Sequence, residues 1–137
     1  MNLARVLSIQ GQFEEAKKLY ERALSGYERV LGLNHEITLL TVTGLAIVLS
    51  KQGRLEEAKK LYERALSGNE RVLGLKHENT LKTVCNLAIV SYQQGRLEEA
   101  KKLAERALSG FTFVLGPNHE KTKNISKILS LINQQLK

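Results

Sequence analysis

The chain has 137 residues, 42% of them apolar, with a net charge of +7, one cysteine, one proline and no tryptophan. Its single cysteine, Cys85, excludes an internal disulfide and fits a reducing compartment, so a cytoplasmic location is expected. No apolar run is long enough to span a bilayer and the start carries no signal-peptide pattern, which excludes a helical membrane protein and a secreted disulfide scaffold.

The first predicted element is short. Leu3, Val6, Leu7 and Ile9 mark one face of a helix that is marginal in isolation. Met1 falls where that helix should already be under way, so the chain is expected to be a fragment of a longer array or to start with an incomplete hairpin. Gly11 closes the element, and from there the chain repeats itself. Residues 11–52 and 53–94 align without a gap and agree at 31 of 42 positions, and a third copy fills 95–136. Asn2-Leu3-Ala4 matches Asn86-Leu87-Ala88, so residues 1–10 read as a partial unit. A fixed period of this length signals a solenoid, in which each unit buries its apolar face only by stacking on its neighbours. Residues 1–137 are therefore expected to form a single array.

Within the unit, Gly53 and Gly74 are read as helix ends, where a positive φ is wanted and glycine adopts it without strain. Between them Leu55, Ala58, Leu61, Tyr62, Ala65, Leu66, Val72 and Leu73 recur at steps of three and four, a helix period. The run keeps phase through Gly68, predicting one long helix whose internal glycine costs about 1 kcal/mol and marks a close approach of a neighbouring helix. A shorter partner is predicted over 78–93, with Leu81, Val84, Leu87, Ala88 and Ser91 on one face. Each unit is thus a helix hairpin, and the fold class is all-α.

Charge gives little functional direction. Glu14 with Lys18, Glu56 with Lys60 and Glu98 with Lys102 stand in the favourable i, i+4 order on the long helices and read as a solvated outer face. The unbalanced excess sits at Lys121, Lys123, Lys127 and Lys137, where it could attract an acidic partner or keep the end of the stack soluble. His35, His77 and His119 recur 42 residues apart, which strings them along a ridge instead of converging them on a metal; capping or linker packing is the expected role. Cys85 has no partner histidine on its face, and no phosphate-cradling glycine loop is present. No catalytic residue, metal ligand or cofactor is read from the sequence, and the protein is expected not to be an enzyme.

Leu45, Ala46, Gly53, Ala58, Tyr62 and Ala65 fall at the spacing of the small and large packing positions of the tetratricopeptide repeat in its 42-residue form. The connections VLGLNHEIT and VLGLKHENT resemble the linker shared by kinesin light chains and by fungal NACHT-type or NB-ARC-type receptors, with Glu36, Glu78 and Glu120 in place of the usual proline. A carboxylate there suits the first turn of a helix. The phrasing ERALSGYERVLG is closer to the fungal receptors. The resemblance implies a right-handed alpha-alpha superhelix of antiparallel hairpins, a tetratricopeptide solenoid.

A binding face is suggested by where the first two complete units differ. Their differences on the short helix cluster at Ile37/Asn79, Leu40/Lys82, Thr43/Cys85, Gly44/Asn86, Ser50/Tyr92 and Lys51/Gln93, one stripe opposite the packing residues. The equally exposed outer face of the long helix, Glu14 to Ser25 against Glu56 to Ser67, is unchanged, which argues against free drift. By resemblance to tetratricopeptide arrays the stripe faces a concave groove. The candidate groove residues are Arg5, Leu40, Thr43, Gly44, Ile47, Lys51, Lys82, Cys85, Asn86, Ile89, Tyr92, Lys127 and Leu131. Apolar anchors with lysines at intervals suit an extended peptide or partner helix carrying a few acidic groups. The clamp that holds chaperone C-termini in related domains needs paired lysine and asparagine where this chain has Thr43, Ile47, Cys85 and Ile89, so that specialisation is not expected.

The final segment, about 120–136, keeps Ile125, Ile128, Leu129, Ile132 and Leu136 on one face and places Lys123, Ser126 and Ser130 on the other, as a capping helix should. The N-terminal edge has no such cap and is expected to meet a second molecule or further repeats. The leading functional expectation is a protein-interaction and ligand-sensing module of an NLR-like signalling receptor. A kinesin-light-chain-like cargo adaptor and, further back, a helical-repeat RNA binder are the alternatives; the last would require strongly salt-dependent binding.

Overall fold

A computed structural model describes residues 2–137, with side chains from Leu3 onward, and the expectation placed on Met1 lies outside the described residues. Among the described residues seven helices follow one another: α1 (Asn2–Ile9), α2 (Phe13–Leu31), α3 (Glu36–Lys51), α4 (Leu55–Leu73), α5 (Glu78–Gln93), α6 (Leu97–Leu115) and α7 (Glu120–Leu136). They make two compact units, residues 1–72 and 73–137. The helix expected over 78–93 is α5, and the long helix expected to run through Gly68 is α4.

Six glycines end the helices as expected. Gly11, Gly53 and Gly95 have φ of 78 to 83°, and Gly32, Gly74 and Gly116 have φ of 91 to 93°. A side chain at such angles meets the backbone, so the turns depend on glycine. The second kind of connection is closed twice more. His35, His77 and His119 cap α3, α5 and α7, each Nδ1 accepting a hydrogen bond from the backbone N–H two residues on, at 3.0 to 3.1 Å. Three residues further along the chain, Thr38, Thr80 and Thr122 donate their hydroxyls to the carbonyls of Gly32, Gly74 and Gly116 at 2.8 Å. The histidines therefore satisfy orphan N–H groups at helix starts, and the threonines fix the angle at which each short helix leaves the glycine.

The short helices carry the core. In α3, Thr38, Leu39, Thr41, Val42, Leu45, Ala46, Val48 and Leu49 are buried, and α5 buries the matching Thr80, Leu81, Thr83, Val84, Leu87, Ala88, Val90 and Ser91. Threonine is tolerated at such depth because Thr41 and Thr83 return their hydroxyls to the carbonyls of Ile37 and Asn79 at 2.8 and 3.0 Å. Ser91 differs: it stands where α3 has Leu49, and its Oγ is buried with no hydrogen-bond partner. The long helices are amphipathic, burying Ala16, Tyr20 and Leu24 in α2 and Ala100, Ala104, Ala107, Gly110 and Phe111 in α6.

The internal glycines of α4 and α6 are seats for leucines. A Cβ added at Gly68 would lie 2.5 Å from Leu39 Cδ2, and one at Gly110 would lie 2.3 Å from Leu81 Cδ2. Both leucines are themselves almost fully buried, so they have little room to turn aside. The helix-propensity cost of each glycine is thus offset by close approach of the paired helix.

Gly110→Ala should lower stability by about 1 to 3 kcal/mol despite alanine's higher helix propensity. The check is the urea midpoint: a rise would show that Leu81 can yield, against the packing described.

Candidate functional site

The solvent-facing side of α5 forms a site in the second unit. Lys82, Cys85, Asn86 and Ile89 lie along one stripe of the helix, spaced by three, one and three residues, and so share a face. α6 supplies the ring of Phe111 as the floor, and α7 supplies Lys121, Asn124, Ile125 and Ile128 as the opposite wall. The resulting cavity is about 200 Å³, open to solvent and mainly apolar inside. Four of the thirteen residues proposed from the sequence therefore converge here. Phe111, Lys121, Asn124, Ile125 and Ile128 were not among them.

Phe111 could have been found by comparing all three copies. Its counterparts in α2 and α4 are Tyr27 and Asn69, so this position changes chemistry in every unit. Lys121 reaches across to α5, its Nζ standing 3.2 Å from Glu78 Oε1. That hydrogen bond, with the lysine's charge beside it, holds the Glu78 carboxyl below its usual pKa. The rim of the cavity thus carries Lys82 as an exposed cation on one side and the Lys121–Glu78 pair on the other. Burial pushes the Cys85 thiol from 9.0 up to about 12. At neutral pH Cys85 is a small apolar wall residue, not a nucleophile.

The remaining residues proposed from the second unit lie elsewhere. Tyr92, at the end of α5, accepts a hydrogen bond at its hydroxyl from Gln135 Nε2 of α7 at 2.7 Å. Lys127 and Leu131 are exposed on α7, Leu131 at 50%, and do not line the cavity.

In the first unit the corresponding stripe on α3 is likewise outside the core. Leu40 and Lys51 are exposed, Thr43 and Ile47 half-buried, and Thr43 returns its hydroxyl to the Leu39 carbonyl at 3.1 Å. Gly44 serves packing: a Cβ there would lie 2.5 Å from Tyr20 Cε1, so its missing side chain makes room for the tyrosine of α2. Arg5, exposed on α1, acts on the same tyrosine, its charge partly opposing the rise in phenol pKa that burial causes.

Among the described residues no group of three or more histidine, cysteine, aspartate or glutamate side chains could hold a metal ion. No helix is long and apolar enough to cross a membrane among the described residues.

Helix hairpins closed by a glycine turn and a histidine cap, with small residues receiving large ones, define a helical-repeat protein. The chain belongs to the tetratricopeptide repeat family, whose model matches residues 1–71, 39–111 and 79–137. Its fold is the all-α tetratricopeptide solenoid type, a fold typical of protein–protein interaction modules. Among solved structures it is similar to a Podosopora anserina protein, named for kinesin light chain, with nearly identical TPR-like repeats. The two are 25% identical with a TM-score of 0.90, over 97% of this chain and 63% of that one. A single-substitution variant of that protein matches with 24% identity and a TM-score of 0.89, over 96% of this chain and 62% of that one. BtubC (BKLC) from P. vanneervenii shares the fold at 17% identity and a TM-score of 0.74, over 98% of this chain and 61% of that one. The chain thus spans under two-thirds of the length of the solved proteins it matches. No curated protein matches it.

The raised thiol pKa predicts that Cys85 in the folded protein reacts with iodoacetamide roughly a thousandfold more slowly at pH 8 than after denaturation. The sign for stability follows. The folded state holds the proton above the unfolded value, so the contribution is intact below about pH 9 and falls as pH rises towards about 12. Alkylation at the free-thiol rate would show that the cavity wall is more open than described.

Proposed function

We propose that this protein is a peptide-recognition module whose contact surface is the α5 face between α6 and α7. The observation that carries the reading is the cavity itself: Ile89 half-buried on its wall, the edge of the buried Phe111 ring beneath, and Lys82 at its rim, opening to solvent from the edge of the packed core. An extended peptide or a partner helix with one bulky apolar anchor and a neighbouring carboxylate suits that chemistry. On α3 the positions Leu40, Thr43, Ile47 and Lys51 make a second, more apolar stripe that would read a different side chain. Residues 11–52, 53–94 and 95–136 act in this reading as repeats of one array, with α7 as its cap. Only one apolar face of α7 is covered, at Ile125 and Ile132, while Lys123, Ser126 and Ser130 meet water.

The module serves as the sensing part of a larger cytoplasmic receptor of the NACHT or NB-ARC type, and the switch that acts on binding lies in other domains of that receptor. What supports this is the repeat phrasing and the variation between copies along the inner stripe. A second reading is favoured by the comparisons. The Podosopora anserina protein named for kinesin light chain matches nearly the whole chain, and an adaptor that carries acidic peptide-tagged cargo would use the same lysine-rimmed cavity. The two readings share the ligand chemistry and differ in what the rest of the protein does.

Selection of binders from a displayed random peptide library tests the shared claim. Enriched peptides should carry an aromatic or large aliphatic residue next to aspartate or glutamate. Ile89→Glu should weaken them at least tenfold with the helical signal and unfolding midpoint retained, and Lys82→Glu should weaken only the acidic ones. Unchanged affinity for folded Ile89→Glu would remove the α5 face as the site.

A further inference from the structure

Glu36, Glu78 and Glu120 open α3, α5 and α7 at the same position of the repeat, yet the charges around them differ. Four residues on, Glu36 is followed by Leu40, Glu120 by Asn124 and Glu78 by Lys82. Of the three, Glu78 alone stands one turn ahead of a lysine in the favourable order. It also meets α7, where Lys121 Nζ lies 3.2 Å from its Oε1. The counterparts of Lys121 in α3 and α5 are Ile37 and Asn79, so neither earlier copy supplies that cation. Lys82 and Lys121 are the charged side chains among the lining residues of the α5–α7 cavity, and Glu78 stands just outside that lining. Both lysines act on it. The hydrogen bond from Lys121 and that lysine's charge lead in holding the Glu78 carboxyl below its usual pKa, and Lys82 adds to them through charge.

We propose that Glu78 is the specificity-determining residue of this site, a carboxylate of the chain's own that keeps Lys121 engaged and limits the ligand to one acidic group beside its apolar anchor. The inference rests on the α5 face being the peptide site. Its physics is an exchange of partners. A ligand carboxylate at the exposed Lys82 adds an ion pair to the rim. A second one, at Lys121, makes a contact by breaking the one with Glu78 and brings another negative charge against that residue. The Lys121 and Glu78 side chains are 37% and 40% exposed, and ion pairs at such exposure contribute little singly. The exchange therefore yields no net affinity, while the repulsion between like charges remains.

The test takes a peptide enriched in the library selection and two variants of it, one with its acidic residue replaced by the amide and one with that residue doubled. In the unmutated chain the first acid should strengthen binding roughly threefold or more, and the second should change it by less than about twofold. Glu78→Gln should let the second acid add roughly fivefold or more, with the neutral peptide unaffected. The change is isosteric at a half-exposed position, and the helical signal and urea midpoint confirm the fold. Adding Lys121→Gln to Glu78→Gln should bring the effect of the second acid back below about twofold. A second acid that counts equally with and without Glu78→Gln, or a gain that survives Lys121→Gln, would overturn the inference; binding that is still lost in Ile89→Glu would then leave the α5 face standing as the site. Peptides that bind regardless of Ile89→Glu would overturn both.

Discussion

Close approach between a short helix and a long one, made possible by a missing side chain, is the contact on which this structure depends. Leu39 on Gly68 and Leu81 on Gly110 bring the first turn of each short helix against the far end of the long helix that follows it. The start of the short helix is then held from two sides, since its histidine cap and its threonine bond to the preceding glycine carbonyl also fix where it begins. With its leucines, valines and alanines committed to packing, only a narrow stripe of each short helix is left for anything else. The opposite, buried face has less freedom to vary without loosening the fold, the one difference between α3 and α5 there being Leu49 against Ser91.

The repeated unit separates two jobs that one residue type could not do together. Glycine at positive φ turns the chain, and glycine at helical φ receives a leucine. Both uses depend on the missing Cβ, but the first is a matter of backbone sterics and the second of volume. Gly44 adds a third setting for the volume role, where the large neighbour is Tyr20 of the preceding long helix. The charged outer faces of the long helices take no part in either job. They are not idle in the fold, since Arg64 of α4 pairs with Glu28 of α2 and Gln52 donates to Glu14 Oε2 at 3.0 Å.

Much of this could be read before any coordinates. The glycine boundaries, the hairpin, the uninterrupted course of the long helix through Gly68 and the stripe opposite the core all follow from periodicity, because helical phase is a property of spacing alone. The close helix approach at Gly68 was legible for the same reason: a glycine kept inside a helix needs a use. Less legible was which flank of the stripe the next helix would cover. Spacing places Lys127 and Leu131 in line with Cys85 and Ile89, yet the wall facing α5 is made by Lys121, Asn124, Ile125 and Ile128. That choice is made by the packing angle of α7 on α6, which one-dimensional phase does not contain. The packing role of Gly44 is hidden for a related reason: a glycine among variable positions resembles a tolerant surface site until the ring of Tyr20 is placed against it.

The central claim is that the α5 face between α6 and α7 is where a partner binds. Amide chemical shifts recorded during titration with a selected acidic-apolar peptide test it most directly, since they report on every helix at once. The account predicts that the largest changes fall at Lys82, Cys85, Asn86, Ile89, Asn124 and Ile128, with the outer faces of α4 and α6 unmoved. Changes concentrated on those outer faces, with the α5 stripe silent under saturating peptide, would contradict it.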